Sequence, residues 1–167
     1  SIGFERGLEH IAVHNKLDDF CVNTESVIDL QDKIEFINKL AIGKQAPNFT
    51  GKDMDGHIIS LNEIISKRTL LFFWASWCPY CKDMISEISK IYQFPEAEIM
   101  VVGISIDTSR SELNKVINEH KINWPVIAEF EGWDGQIPKM FGIAATPSIF
   151  LLDENKTIIA KPTSFTA

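Results

Sequence analysis

Cys78 and Cys81 stand three residues apart in the stretch Trp77-Cys78-Pro79-Tyr80-Cys81. Two thiols at that spacing on a helix can close a disulfide within one turn and reopen it without unfolding their surroundings. The matching chemistry is thiol–disulfide exchange: a thiolate attacks a disulfide elsewhere, a mixed disulfide forms, and the second thiol displaces it. Cys78, placed at a helix N-terminus, meets unpaired N–H groups and the positive end of the helix dipole, which favour its thiolate at neutral pH. Cys81, one turn further in, is expected to be more buried and to act as the resolving thiol.

A Cys-x-x-Cys pair is also half of a zinc site. His10 and His14 have ligand-like spacing, but they lie more than 60 residues upstream and no second Cys pair exists. No metal is therefore expected. The third cysteine, Cys21, reads as a small apolar residue of a helical segment. His57 and His120 read as surface residues.

Such a dithiol needs a strand to deliver it and a helix to hold it. Thr69 to Trp74 is a continuous apolar run, the pattern of a central strand buried on both faces. Cys78 to about Phe94 has helical spacing, with Pro79 in the first turn where proline is favoured. Glu98 to Asp107 (EIMVVGISID) reads as a second buried strand. Ahead of these, Thr50 to Ile59 reads as a hairpin turning at Asp55-Gly56, and Ser60-Leu61-Asn62-Glu63 as a capping box opening a short helix. A second capping box, Ser109 with Glu112, starts a helix to about His120. Trp124 to Glu129 is a short strand, and Trp133-Asp134-Gly135 a loop that leads into a short helix, Gly135 to Phe141. Ser148 to Leu152 and Thr157 to Lys161 are the last strands, joined by a turn over Asp153 to Lys156. The order β-β-α-β-α-β-α-β-β implies an α/β fold, a mixed sheet with helices on both faces, with no further helix to cover the last edge.

Residues 1–42 differ in character. Ile28, Ile34, Ile37 and Leu40 fall near one face of a helix that Gly43 would stop, and Phe4 to Phe20 has weaker helical spacing. The expected division is a helical appendage over 1–42 and the main domain over 43–167.

The composition excludes several classes. At 167 residues with 45% apolar and 23% charged side chains, the chain is an ordinary globular protein. A net charge of −7 without a Lys/Arg cluster speaks against nucleic acid and anionic membrane as main partners. The longest apolar run is less than half of a membrane span. Three cysteines are too few for a disulfide framework. Ser1 in place of Met, with no signal pattern, reads as a mature fragment whose targeting segment has been removed. A membrane tether outside these residues is compatible with the sequence.

The run FFWASWCPYC (72–81), followed by ATPSIFLLDEN (145–155), resembles the thioredoxin superfamily. More narrowly it is similar to the TlpA/ResA-like thiol–disulfide oxidoreductases of bacterial envelopes. Gly43-Lys44-Gln45-Ala46-Pro47-Asn48-Phe49 with the Asp55-Gly56 hairpin matches the way those domains and the peroxiredoxins begin, and the likeness covers about residues 43–161. It implies a thioredoxin-like mixed sheet flanked by helices and a cis peptide bond at Thr146-Pro147, with the Thr146 backbone pairing with a bound substrate segment. It also implies that Pro79 and Tyr80, a dipeptide shared with glutaredoxins, tune the redox potential. Trp77, beside Cys78, shields the disulfide or contacts substrate, Trp74 belongs to the core, and the Trp133 loop adds to the active-site rim. No cofactor is implied. The implied partners are a protein disulfide and an upstream thiol electron donor, and the implied location is the bacterial periplasm or cell envelope.

The chain departs from the family pattern in two places. Phe72 stands where thioredoxins often carry a buried Asp, and Met84 where the ResA-like group often carries a Glu. Asp83 and Glu87 are expected to face solvent, so the proton acceptor for Cys81 is unassigned. Peroxidase chemistry is set aside, because Ala75 and Leu71 occupy the positions where it needs Thr or Ser and Pro. The sequence therefore points to a disulfide reductase, with an oxidase or isomerase and a non-catalytic binding or chaperone module as the alternatives.

Overall fold

The computed structural model describes residues 25–93 and 98–163. The chain divides into two compact units, Ser1–Lys39 and Leu40–Ala167. The described part of the first is helix α1 (Glu25–Lys39). It carries Lys33–Asp29 and Lys39–Glu35 ion pairs at i,i+4 spacing, each worth a few tenths of a kcal/mol. The helix ends at Lys39, before the Gly43 stop read from the sequence. The weaker helical segment from Phe4 to Phe20, with His10, His14 and Cys21, lies outside the described residues.

The second unit is built on a five-stranded mixed sheet. Its strands are β3 (Arg68–Trp74), β4 (Ile99–Ser105), β5 (Val126–Ala128), β6 (Ser148–Asp153) and β7 (Ile158–Ala160), in the order β5-β4-β3-β6-β7. β3 pairs parallel with β4 and antiparallel with β6. A separate hairpin, β1 (Thr50–Lys52) with β2 (Ile58–Ser60), turns through Gly56 at φ 90°, a conformation that glycine adopts without a steric penalty. Asp53 holds this turn, accepting from the N–H groups of Asp55 at 3.0 Å and His57 at 2.8 Å. The helices are α2 (Pro79–Tyr92), α3 (Arg110–Glu119) and α4 (Gln136–Met140).

β3 is apolar from Leu70 to Trp74 because both of its faces are covered there. Leu70, Phe72 and Trp74 pack with Ile85, Ile88, Leu113, Val116 and Trp124 on one side. Leu71 and Phe73 pack with Phe49, Leu61, Phe141 and Phe150 on the other. Phe72, Phe73 and Trp74 have no exposed surface, and each such side chain contributes roughly 1.5–3 kcal/mol relative to an exposed one. This strand is the rigid post from which the Cys-x-x-Cys loop departs.

Two readings from the sequence change here. Ser60 makes no side-chain cap, and Leu61–Glu63 is a single 3-10 turn. The backbone donors there have more distant partners: Leu61 N–H donates to the Phe49 carbonyl at 3.0 Å and Asn62 N–H to Asn48 Oδ1 at 3.1 Å. β5 is three residues long, shorter than the expected 124–129. No helix follows β7 among the described residues, but chain that precedes the domain's first strand pairs with part of its edge. Gly43 N–H donates to the Ile158 carbonyl at 2.7 Å and Ile158 N–H to the Lys44 carbonyl at 2.8 Å, which satisfies part of an otherwise open edge.

Candidate active site

β3 ends at Trp74, and the buried residues Ala75 and Ser76 carry the chain to Cys78. Cys78 is the N-cap of α2, with extended backbone at φ −87° and ψ 112°, and Pro79 opens the helix. Cys81, Ile85 and Ile88 lie on one buried face of α2, so the helix docks with the second cysteine inward. Cys78 and Cys81 are joined as a disulfide with Cα atoms 5.3 Å apart. Cys81 N–H donates to Cys78 Sγ at 3.3 Å. That donor and the N-terminal end of α2 favour negative charge on the Cys78 sulfur. Cys78 keeps 3% of its surface exposed and Cys81 none, so Cys78 is the more accessible of the two.

The Thr146-Pro147 bond is cis, as the resemblance implies. It precedes β6, and Ser148 Oγ donates back to the Ala145 carbonyl at 2.7 Å. The Thr146 carbonyl oxygen lies 3.6 Å from Cys78 Sγ. Around this pair the surface is aromatic. Trp77 is 54% exposed, Tyr80 75% and Trp133 43%, and Pro79 is exposed beside them. The Trp77 and Trp133 rings meet with centroids 6.3 Å apart. Trp133 sits in the 3-10 turn Gly132–Asp134, where Gly132 takes φ 62°. The turn is tied to α4 by Asp134–Lys139 at 2.9 Å, and the Lys139 ammonium, by hydrogen bond and charge, holds the Asp134 carboxyl below its usual range. Trp74 is buried core, stacked on Phe72 at 6.0 Å.

Neither position that could have carried a buried carboxylate does so. Phe72 is fully buried and Met84 packs at the edge of the same core. Asp83 is exposed, and Glu87 pairs with Lys90 at 2.7 Å. The structure instead places Asp107, which the sequence reading treated only as a strand end, beneath the Cys78 loop. Its carboxylate accepts from Ser76 N–H at 2.9 Å, Ser76 Oγ at 2.6 Å and Ser105 Oγ at 2.7 Å. The available signal was a charged residue closing an otherwise apolar strand pattern.

Asp53, Asp55 and His57 bring their ligand-type atoms within 4.8 Å of one another. The hairpin turn accounts for this cluster, since Asp53 is already engaged by both neighbours. Burial pushes the Asp53 carboxyl up, but hydrogen bonds from His57 and Asp55 and the His57 charge outweigh it and leave it below its usual value. The described residues hold no helix long and apolar enough to cross a membrane.

The arrangement is that of a dithiol couple: one sulfur with a small exposed part, one fully enclosed, and a backbone carbonyl beside the first. The AhpC/TSA family model matches residues 42–161. The thiol-disulfide oxidoreductase ResA of Bacillus thuringiensis subsp. konkukian is 28% identical over 122 residues, which cover 72% of this chain and 69% of that protein. The thioredoxin domain of a thiol-disulfide oxidoreductase from Bacteroides vulgatus shares 28% identity at a TM-score of 0.65, over 72% of this chain and 87% of that one. A thioredoxin-like protein from Bacteroides caccae superposes at a TM-score of 0.73 over 94% of this chain and 56% of its own. At 23% identity that last likeness is one of fold.

Proposed function

This chain belongs to the AhpC/TSA family and is a TlpA/ResA-like thiol–disulfide oxidoreductase of the thioredoxin superfamily; from that premise we propose that it reduces disulfides in other proteins. Cys78 is the attacking thiol and Cys81 the resolving thiol. In the first step the Cys78 thiolate attacks a substrate sulfur, forms a mixed disulfide and expels the other substrate sulfur as a thiolate. In the second, Cys81 loses its proton and attacks Cys78 Sγ, which releases the reduced substrate and leaves the Cys78–Cys81 disulfide. An upstream dithiol donor then restores the reduced pair.

The observation that carries the proposal is the unequal placement of the two sulfurs. Cys78 sits at the N-cap of α2, accepts the Cys81 N–H at 3.3 Å and lies 3.6 Å from the Thr146 carbonyl, whereas Cys81 is fully enclosed. An extended substrate segment passing Cys78 can donate a backbone N–H to the Thr146 carbonyl, with Pro147 shaping the loop and Trp77, Pro79 and Tyr80 forming the surrounding contact surface. The active domain in this proposal is 43–167, with 1–42 as a helical appendage, and the location is the bacterial envelope.

The test is equilibration in graded glutathione buffers, alkylation of free thiols and counting by mass. A two-electron transition of Cys78 and Cys81 near about −230 mV or lower is the result expected of a reductase. A transition nearer about −150 mV identifies an oxidant or isomerase instead. If no disulfide forms across the series, the chain is a binding module.

A further inference from the structure

Among the described residues Asp107 is the one acidic side chain in the interior, at 1% exposure. It follows β4 by two residues and grips the loop that leads into the redox pair. Both of its oxygens accept from Ser76 N–H, at 2.9 and 3.2 Å, and the Ser76 hydroxyl donates to Oδ1 at 2.6 Å. Ser105 Oγ donates to Oδ2 at 2.7 Å and accepts the Asp107 N–H at 3.0 Å. The neighbouring Ile106 N–H donates to the Trp74 carbonyl at 2.9 Å. The segment 105–107 is thus stitched to 74–76, and Ser76 stands two residues before Cys78. Ala75, Ser76, Cys78, Cys81 and Ile106 are all buried.

A charge in such a setting acts strongly on its neighbours, because little water screens it. The other charged groups on the surrounding elements are placed differently. On α2, Lys82 is half-buried, Asp83 is exposed and Glu87 is paired with Lys90. On α3, Arg110 lies over the Phe130 ring, and Glu112, Lys115 and Glu119 are exposed. Asp134 and Lys139 pair with each other. Asp107 is the buried one.

We propose that Asp107 is a positioning residue for the redox reaction, holding the Cys78 loop through Ser76 and biasing the Cys78–Cys81 couple toward the disulfide by its buried negative charge. The inference rests on the reading of Cys78 as the attacking thiol. When the disulfide is reduced by two glutathione thiols, two electrons break the S–S bond and glutathione disulfide is the product. Of the two glutathione protons, Cys81 takes up one and becomes a thiol, the other passes to solvent, and Cys78 is left as a thiolate. A fixed anion nearby disfavours that second negative charge, which opposes the α2 N-terminus and the Cys81 N–H. The reduced protein is therefore a stronger electron donor than the helix terminus alone would make it.

The experiment compares wild type, Asp107→Asn and Ser76→Ala in graded glutathione buffers with thiols counted by mass. Wild type without a two-electron transition overturns the reading of the site itself, and so is distinct from failure of the present inference. With that transition present, D107N is expected to shift the equilibrium about tenfold toward the dithiol, about 30 mV, and to lower by about one unit the pH at which Cys78 alkylation half-rises. S76A strips one hydrogen bond from the carboxylate and keeps its charge, so it is expected to stay within about twofold of wild type or to move toward the disulfide. A D107N shift below about twofold overturns the inference. So does S76A moving toward the dithiol as far as D107N, since that outcome marks a loop held in place without an effect of charge. If circular dichroism finds D107N unfolded, the direction of the S76A shift decides: beyond about twofold toward the dithiol it overturns the inference, and otherwise it sustains it.

Discussion

Cys78 Sγ and the Thr146 carbonyl oxygen lie 3.6 Å apart although 68 residues separate them in the chain. One sits at the N-cap of α2 and the other just ahead of β6, and the β3–β6 pairing brings the two together. β3 runs in register with β6 from Arg68↔Asp153 to Phe73↔Ser148, so the end of one strand and the start of the other reach the same edge. In the proposed reaction a disulfide presented to Cys78 passes a backbone acceptor at the same moment. The proposed reductase uses that acceptor to align a peptide whatever its sequence.

In the proposed reductase the aromatic rim supplies the side-chain part of recognition. Trp77, next to Cys78 in the chain, and Trp133 are exposed and in contact with each other. Trp77→Ala and Trp133→Ala are each expected to raise KM for a peptide disulfide by about 5- to 30-fold, the range for losing an aromatic anchor. The redox potential should be unchanged in both. Steady-state kinetics with glutathione redox titration checks this, and an unaltered KM in both variants would count against the rim.

Gly103 leaves room for two indole rings in the core that also holds Cys78 and Cys81. A Cβ there would stand 3.0 Å from Trp74 Nε1, 3.3 Å from Trp124 Nε1 and 3.4 Å from Val126 Cγ2. Both indole rings are buried and their N–H groups have no partner among the described residues. Gly103→Val adds two further carbons to a full space and is expected to cost about 1–3 kcal/mol. Urea unfolding measures it, and a loss under about 0.5 kcal/mol would show that the two rings can move aside.

Lys156 gives stability a dependence on pH at the alkaline end. Its side chain is buried, with Nζ donating to the Ile64 carbonyl at 2.8 Å and to Thr69 Oγ1 at 3.4 Å. Burial pushes the ammonium down from its ordinary value, and the Asp153 charge offsets this only in part. The unfolded chain thus holds this proton more tightly than the folded one. Between the lowered folded value and the ordinary one of about 10.4, the unfolded state carries more protons and stability rises with pH. The stability of wild type minus that of Lys156→Met is therefore expected to grow across the alkaline range up to about pH 10. Chemical denaturation of both proteins across that range tests the sign, and a flat or falling difference would contradict it.

Features that depend on local pattern were legible in the sequence. The continuous run ending at Trp74 reported a strand covered on both faces, and the Cys-x-x-Cys with Pro79 reported a helix start. Features whose partners come from distant chain were not. Ser60 has the spacing of a cap, yet Phe49 and Asn48 satisfy the donors after it, so the helix never develops. β5 is cut short at Trp124-Pro125, where Pro125 contributes only its carbonyl, to Gly103 N–H at 2.9 Å. Asp107 finds Ser76 across 31 residues, and nothing in its neighbourhood announces that partner. The cis bond at Thr146-Pro147 was reached through family resemblance, because the dipeptide alone favours trans.

The most direct test of the division of labour between the two sulfurs is trapping. Cys81→Ser, mixed with a peptide disulfide, is expected to accumulate a stable one-to-one mixed disulfide that tryptic mass mapping assigns to Cys78. Cys78→Ser under the same conditions is expected to yield none and to lose reductase activity. An adduct on Cys81 in Cys78→Ser, formed as fast as the Cys78 adduct, would contradict the account.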